Sequence, residues 1–109
     1  MKIFDIVLVQ FPFSDLSASK LRPGLLVAIP GGENYVLVQI TTKKRNITAY
    51  EVPLPRSACN GDIRFDSNIY VDMIATLNKS LIERKIGSVE ASHIQEAVMT
   101  KLRNLFLIV

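Results

Sequence analysis

A mainly β fold of mixed α+β class, a small and strongly bent barrel followed by one C-terminal α-helix, is what this 109-residue sequence predicts. Short apolar runs rich in Ile, Val and Leu alternate with Pro, Gly, Asn and Ser clusters over the first three quarters of the chain, the pattern of strands and turns. Only the end switches to helical spacing. The length suits one domain, 1–109, because domains hold about 100–200 residues, and a chain of this size hides roughly two thirds of its unfolded surface.

Ile3 to Phe11 is the first strand-like run, and Pro12 to Pro23, with Ser14, Asp15, Ser17 and Ser19, is a polar loop. Gly24 to Ile29 reads as the next strand, and Gly31-Gly32 is a hairpin turn into Tyr35–Ile40. Thr41 to Asn46 is polar and basic, and Ile47–Leu54 resumes the strand pattern until Pro53 and Pro55 close it. Asn60-Gly61 is a turn signal, and Asn68 to Leu77 has β-branched strand content. Ile94, Ala97, Val98, Lys101, Leu102 and Leu105 then mark one face of a helix, with Ser92 and Gln95 spaced as a capping box and Ser88 and Glu90 as competing starts. Phe11-Pro12-Phe13 is expected in the core, and Leu105 to Val109 is expected to pack on the barrel.

The composition, 49% hydrophobic and 21% charged, excludes a disordered chain. No apolar run approaches the roughly 18 residues of a membrane span, so a soluble protein is expected. The N-terminal apolar run contains Asp5 and lacks a small-residue cleavage site, which argues against a signal peptide. Cys59 stands alone, pointing to a reducing cytoplasm and away from disulfides or a cysteine-rich metal site. His93 is the one histidine, so a two-histidine acid–base pair is impossible, a Cys59–His93 dyad is improbable, and His93 reads as an ordinary helix residue. The glycines form no phosphate-cradling motif. Chemistry without metal or cofactor, using Arg, Thr and carboxylates, is what remains.

The formal net charge of +3 is unevenly placed. Lys20, Arg22, Lys43, Lys44 and Arg45 face one acid, Glu33, between residues 20 and 45, a net of +4 that leaves the rest of the chain at −1. The two basic loops flank the Gly24–Ile40 hairpin, whose antiparallel strands bring its entry and exit to one end of the sheet. A convergent basic groove suits a polyanion such as RNA, as opposed to a merely solvated loop cluster.

Asp5-Ile6-Val7-Leu8-Val9, Phe11-Pro12-Phe13-Ser14-Asp15-Leu16-Ser17 and Lys20-Leu21-Arg22-Pro23 resemble the opening of the MazF/PemK family of bacterial toxins. The resemblance continues through Gln39-Ile40-Thr41-Thr42, Asp72 to Lys79 and Ser80 to Gly87, and so covers nearly the whole chain. It implies an SH3-like barrel of the CcdB/PemK type with a C-terminal helix, working as a homodimer of charge +6. It also implies a metal-independent endoribonuclease that cuts single-stranded RNA at short sequences. The toxin would be neutralised by a cognate antitoxin laying an extended acidic segment across the RNA groove, the complex binding DNA.

By the same resemblance Arg22 is the loop arginine that grips the scissile phosphate, and Thr41 the hydroxyl that donates to it, with Thr42 beside it. Asp72 matches an acid proposed to assist proton transfer, and Asp5 an acidic position near the RNA, with an outward-facing strand residue as the other reading of Asp5. Lys20, Lys43, Lys44 and Arg45 would hold the substrate backbone. Tyr70 stands where some relatives have arginine, and could stack on a base or donate from its hydroxyl but supplies no fixed charge; Ala75 replaces an arginine or a bulky aromatic. These departures leave open a degenerate member that only binds antitoxin or RNA. A gyrase-poisoning toxin of the CcdB type is the other alternative, though this chain lacks the Trp-Gly-Ile tail and ends Phe-Leu-Ile-Val. A reader of proline-rich peptides would need aromatic walls, for which 7% aromatics and no tryptophan provide little.

Overall fold

Apolar side chains alternate along the strands so that both faces of one sheet are buried in part, which is what a small curled sheet requires. The computed structural model describes residues 1–10 and 21–107. Among these, seven strands precede one helix: β1 (Asp5–Val9), β2 (Arg22–Ala28), β3 (Asn34–Thr41), β4 (Glu51–Leu54), β5 (Cys59–Gly61), β6 (Ser67–Asn78), β7 (Ile82–Val89) and α1 (Ser92–Phe106). They form a curled antiparallel half-barrel in the order β4-β6-β3-β2-β1-β7-β5, with β4 and β5 as its edges. The expected mainly β architecture with a terminal helix is thus what the chain adopts.

One core lies between the sheet and α1. Ile6, Leu25, Val38, Ile40, Val52, Leu54, Ile69 and Val71 pack there with Ile94 and Val98 of the helix. Val7, Val9, Leu26, Leu37 and Ala75 form a second cluster on the other face. Fully burying each such Val, Leu or Ile contributes about 1.5–3 kcal/mol. Lys101 ties α1 to the sheet's β4 end, its Nζ donating to the carbonyls of Thr48 (2.5 Å) and Glu51 (2.6 Å).

Several local expectations are corrected. The strand predicted from Ile47 begins only at Glu51, because residues Thr48–Tyr50 form a 3-10 turn and Asn46 has a φ of 64°. The Glu51 carboxylate causes this by accepting the backbone N–H groups of Arg45 and Ile47, which folds the segment back. Pro53 sits inside β4 rather than ending it, which an edge strand tolerates. Asn60-Gly61 belongs to β5 instead of a hairpin turn. A Cβ on Gly61 would collide with the Ile86 carbonyl oxygen, so glycine serves close approach to β7. β7 itself was hidden from the sequence pattern because Glu83, Arg84 and Lys85 are all exposed, and its pairing with β1 slips twice.

Ala91, not Ser92, is the N-cap of α1, so no capping box forms. Gln95 instead donates through Nε2 to the Val89 carbonyl at 2.8 Å. The helix ends at Phe106, and Phe106 and Leu107 remain 70% and 64% exposed instead of packing down on the barrel. Phe11-Pro12-Phe13 and the last two residues lie outside the described residues.

Candidate nucleic-acid cleft

Antiparallel register decides what meets at the exit of the central hairpin. Gly24 of β2 faces Gln39 of β3, and Arg22 and Thr41 each lie two residues beyond that pair, hence on the same face of neighbouring strands. Both line a cleft of about 320 Å³ together with Leu21, Pro23 and Thr42. Ile6, Ile40, Leu54 and Ile86 form its apolar floor, and the β5–β6 segment contributes Asp62, Ile63, Arg64, Phe65 and Ser67. The convergence expected of the basic loops is realised for Arg22 and Thr41–Thr42. Lys20 lies outside the described residues.

Thr41 is oriented by its own chain. Its Oγ1 accepts the Lys43 N–H at 3.2 Å, which leaves the hydroxyl proton able to donate to an incoming group. Among the described residues no carboxylate lies within salt-bridge distance of Arg22. A guanidinium so placed beside a hydroxyl donor, at one open cleft, is suited to bind a phosphate.

The other basic and acidic residues are arranged differently. Arg45 donates through Nη1 and Nη2 to both oxygens of Asp72 (3.1 and 2.6 Å) and through Nε to Glu51 (3.1 Å). Its guanidinium lies 3.7 Å above the centre of the Tyr70 ring. The hydrogen bond to Asp72, and after it that to Glu51, raise the Arg45 pKa against the opposing effect of burial. Burial pushes the Glu51 carboxyl up, but the Ile47 and Arg45 donors outweigh it and hold it below its usual range. Tyr70 is buried, and its hydroxyl donates to the Lys43 carbonyl at 2.8 Å, where Asn68 also donates. Burial, with the Glu51 charge next, keeps that phenol above its ordinary pKa and therefore protonated.

So the structure separates Asp72, Arg45 and Tyr70 from the Arg22–Thr41 cleft, and places Tyr70 where its ring is covered by Arg45 instead of facing a base. Lys43 and Lys44 are exposed on the turn between the two groups. Asp5 is 1% exposed at the far end of β1 from Val9, the partner of Arg22. Its Oδ2 accepts the Lys2 N–H, and Lys85 Nζ lies 3.2 Å from its Oδ1. Cys59 has its thiol pKa raised by burial, which makes it a poor nucleophile. His93 is exposed in the first turn of α1.

Sequence reasoning marks Pro55–Asp66 as one of the loops on which the cut sequence depends, with Pro12–Arg22 and Thr41–Asn46. It singles out none of the β5–β6 residues, Arg64 and Phe65 included. Only the position of Gly61, which brings β5 against β7, places that loop over the cleft. The signal available was an aromatic and a basic residue side by side in a segment with no strand pattern.

The toxin family suggested by the sequence motifs is supported independently. A family profile described as PemK-like, MazF-like toxin of type II toxin–antitoxin system matches residues 2–106. The chain belongs to that family. Among solved structures it is similar to the Mycobacterium tuberculosis toxin MazF-mt6, with 25% identity over 94% of this chain and 95% of that one and a TM-score of 0.72. It also shares its fold with an endoribonuclease solved in complex with its cognate antitoxin from a Mycobacterial species (18% identity, 100% and 98% coverage, TM-score 0.75). A third likeness is to MazF in a MazE–MazF structure from Deinococcus radiodurans (16% identity, 96% and 94% coverage, TM-score 0.72). No curated protein sequence matches the chain.

Proposed function

We propose that this toxin is an endoribonuclease that cuts single-stranded RNA at short sequences without a metal. The observation that carries the reading is Arg22 and Thr41 lining one cleft from adjacent strands. In the proposed reaction the ribose 2′-oxygen attacks the adjacent phosphorus, and the P–O5′ bond breaks. The 2′-hydroxyl proton is lost to a base, and the leaving 5′-oxygen takes up a proton, giving 2′,3′-cyclic phosphate and 5′-hydroxyl ends. Dependence on the 2′-hydroxyl makes RNA and not DNA the substrate. Arg22 balances the charge growing on the non-bridging oxygens, and Thr41 donates a hydrogen bond to the same phosphate. Lys43, Lys44 and Arg64 add the sequence-independent attraction for the backbone. By family analogy the working form is a homodimer, silenced by an antitoxin whose acidic segment occupies the same basic cleft.

Purified protein incubated with mixed-sequence RNA in EDTA should yield fragments with cyclic-phosphate ends, and Arg22→Ala should abolish them. RNA that stays intact with the wild-type protein, or identical cleavage by the variant, sinks the reading. Loss of supercoiling by gyrase in the presence of the protein would instead favour a gyrase-poisoning toxin.

A further inference from the structure

The loop between β5 and β6 displays a phenylalanine where a soluble protein ordinarily hides one. Phe65 is 68% exposed, yet Ile63, two residues earlier, is half-buried against the core and anchors the segment. The loop is braced. Arg56 donates its N–H to Asp66 Oδ1 (2.9 Å) and its Nη1 to the Arg64 carbonyl (3.4 Å). Ser67 Oγ donates to the Phe65 carbonyl (3.3 Å), and Asp62 N–H to the Ile86 carbonyl (2.8 Å). Arg64, 75% exposed, is steadied by Asp62 through Nε at 3.1 Å. Phe65 also lines the cleft that holds Arg22 and Thr41.

We propose that Phe65 is a nucleobase platform, on which a base flanking the scissile phosphate stacks. This inference rests on the ribonuclease reading. An aromatic face accepts any unstacked base, and such a stack typically contributes enough to change affinity about 5- to 100-fold on truncation. The hydrogen bonds hold the backbone that carries Phe65, so less ordering of the loop is required when RNA enters. Arg64, next to Phe65 in the chain, and Arg22 in the same cleft supply cations for the phosphates near the stacked base. Phe65 acts in binding and in the choice of cleavage site, while Arg22 acts on the reacting phosphate.

The chain has no tryptophan, so Phe65→Trp installs a single fluorescent reporter at the platform. The probe is a random-sequence oligonucleotide of about 12 nucleotides, 2′-O-methylated to block cleavage and labelled with fluorescein for anisotropy. Three results are expected. The wild type raises the probe's anisotropy, and the indole of Phe65→Trp is quenched with saturation at the same concentration. Phe65→Ala binds about 5- to 100-fold more weakly with an unchanged melting temperature. Binding without quenching, together with wild-type affinity of Phe65→Ala, overturns the platform while leaving the ribonuclease reading standing. Failure of the wild type to bind the probe overturns both. Indole emission from Phe65→Trp that is already blue-shifted without RNA, and shifts red on dilution, would mean that a second copy covers the ring, and also overturns it.

Discussion

Arg22 and Arg45 both stand beside β3, but one lines an open cleft and the other is engaged by its own chain. Arg22 lines an open cleft next to a threonine hydroxyl. Arg45 is held by two carboxylates and a tyrosine ring, and its charge is already matched. The first arrangement leaves donors for a ligand. The second fixes the turn that carries Thr41, Lys43 and Lys44. Charge counted along the sequence cannot tell these cases apart, since both arginines belong to the same basic segment.

The comparison can be broken at several points. The largest effect is expected for Arg22→Ala, which should slow RNA cleavage about 10²–10³-fold while leaving the melting temperature unchanged. Arg22→Lys should recover only part of the rate, because an ammonium cannot make the paired contacts of a guanidinium. Thr41→Ala removes one neutral donor and should cost about tenfold in single-turnover rate. Asp72→Asn should cost less than Thr41→Ala and lower the melting temperature, since its carboxylate is engaged by Arg45. A collapse of activity with a flattened acid limb of the pH–rate profile would return Asp72 to the proton-transfer role that the resemblance implied.

Smaller effects sharpen the contrast. Replacing Lys43 or Lys44 by Ala should weaken RNA binding and reduce the slope of log affinity against log salt by about 0.7 each. Arg45→Ala should leave that slope unchanged, because Arg45 meets carboxylates and not phosphates. The depressed Glu51 pKa contributes stability that is fully present above its ordinary 4.5 and is lost as pH falls through its lower folded value. Melting curves across that acid range should therefore fall less steeply for Glu51→Gln than for the wild type.

Legibility in the sequence followed the range of the physical signal. The apolar alternation of β2, β3 and β6 and the helical period of α1 are local patterns, and they located those elements within a few residues. β7 was lost because three consecutive charged residues erase alternation on a strand whose register slips. β4 was misplaced because a carboxylate, Glu51, captures backbone donors four and six residues earlier. At the candidate site, the hairpin argument foresaw that the loop ending at Arg22 and the loop opening at Thr41 converge, since pairing fixes what lies at a strand's end. The choice of Arg22 and Thr41 within them came from the family resemblance. The engagement of Arg45 with Asp72 spans 27 residues and depends on a bulge in β6 between its pairs with Val38 and Gln39, which no local reading supplies. Phe65 escaped for a related reason: its loop reaches the cleft only through the tight β5–β7 contact.

The two ends of the sheet carry a consequence for how the toxin behaves at high concentration. An open sheet exposes unpaired backbone groups that can recruit strands from other molecules. Here β5 is three residues long, and β4 is four residues long with Pro53 within it and Pro55 next after it. Prolines have no N–H to offer, and so short an edge gives a foreign strand little to align with. What remains open to strand addition lies behind these short edges: β4 covers only Ser67–Tyr70 of β6 and β5 only Gly87–Val89 of β7, so the rest of both strands is where another chain could pair.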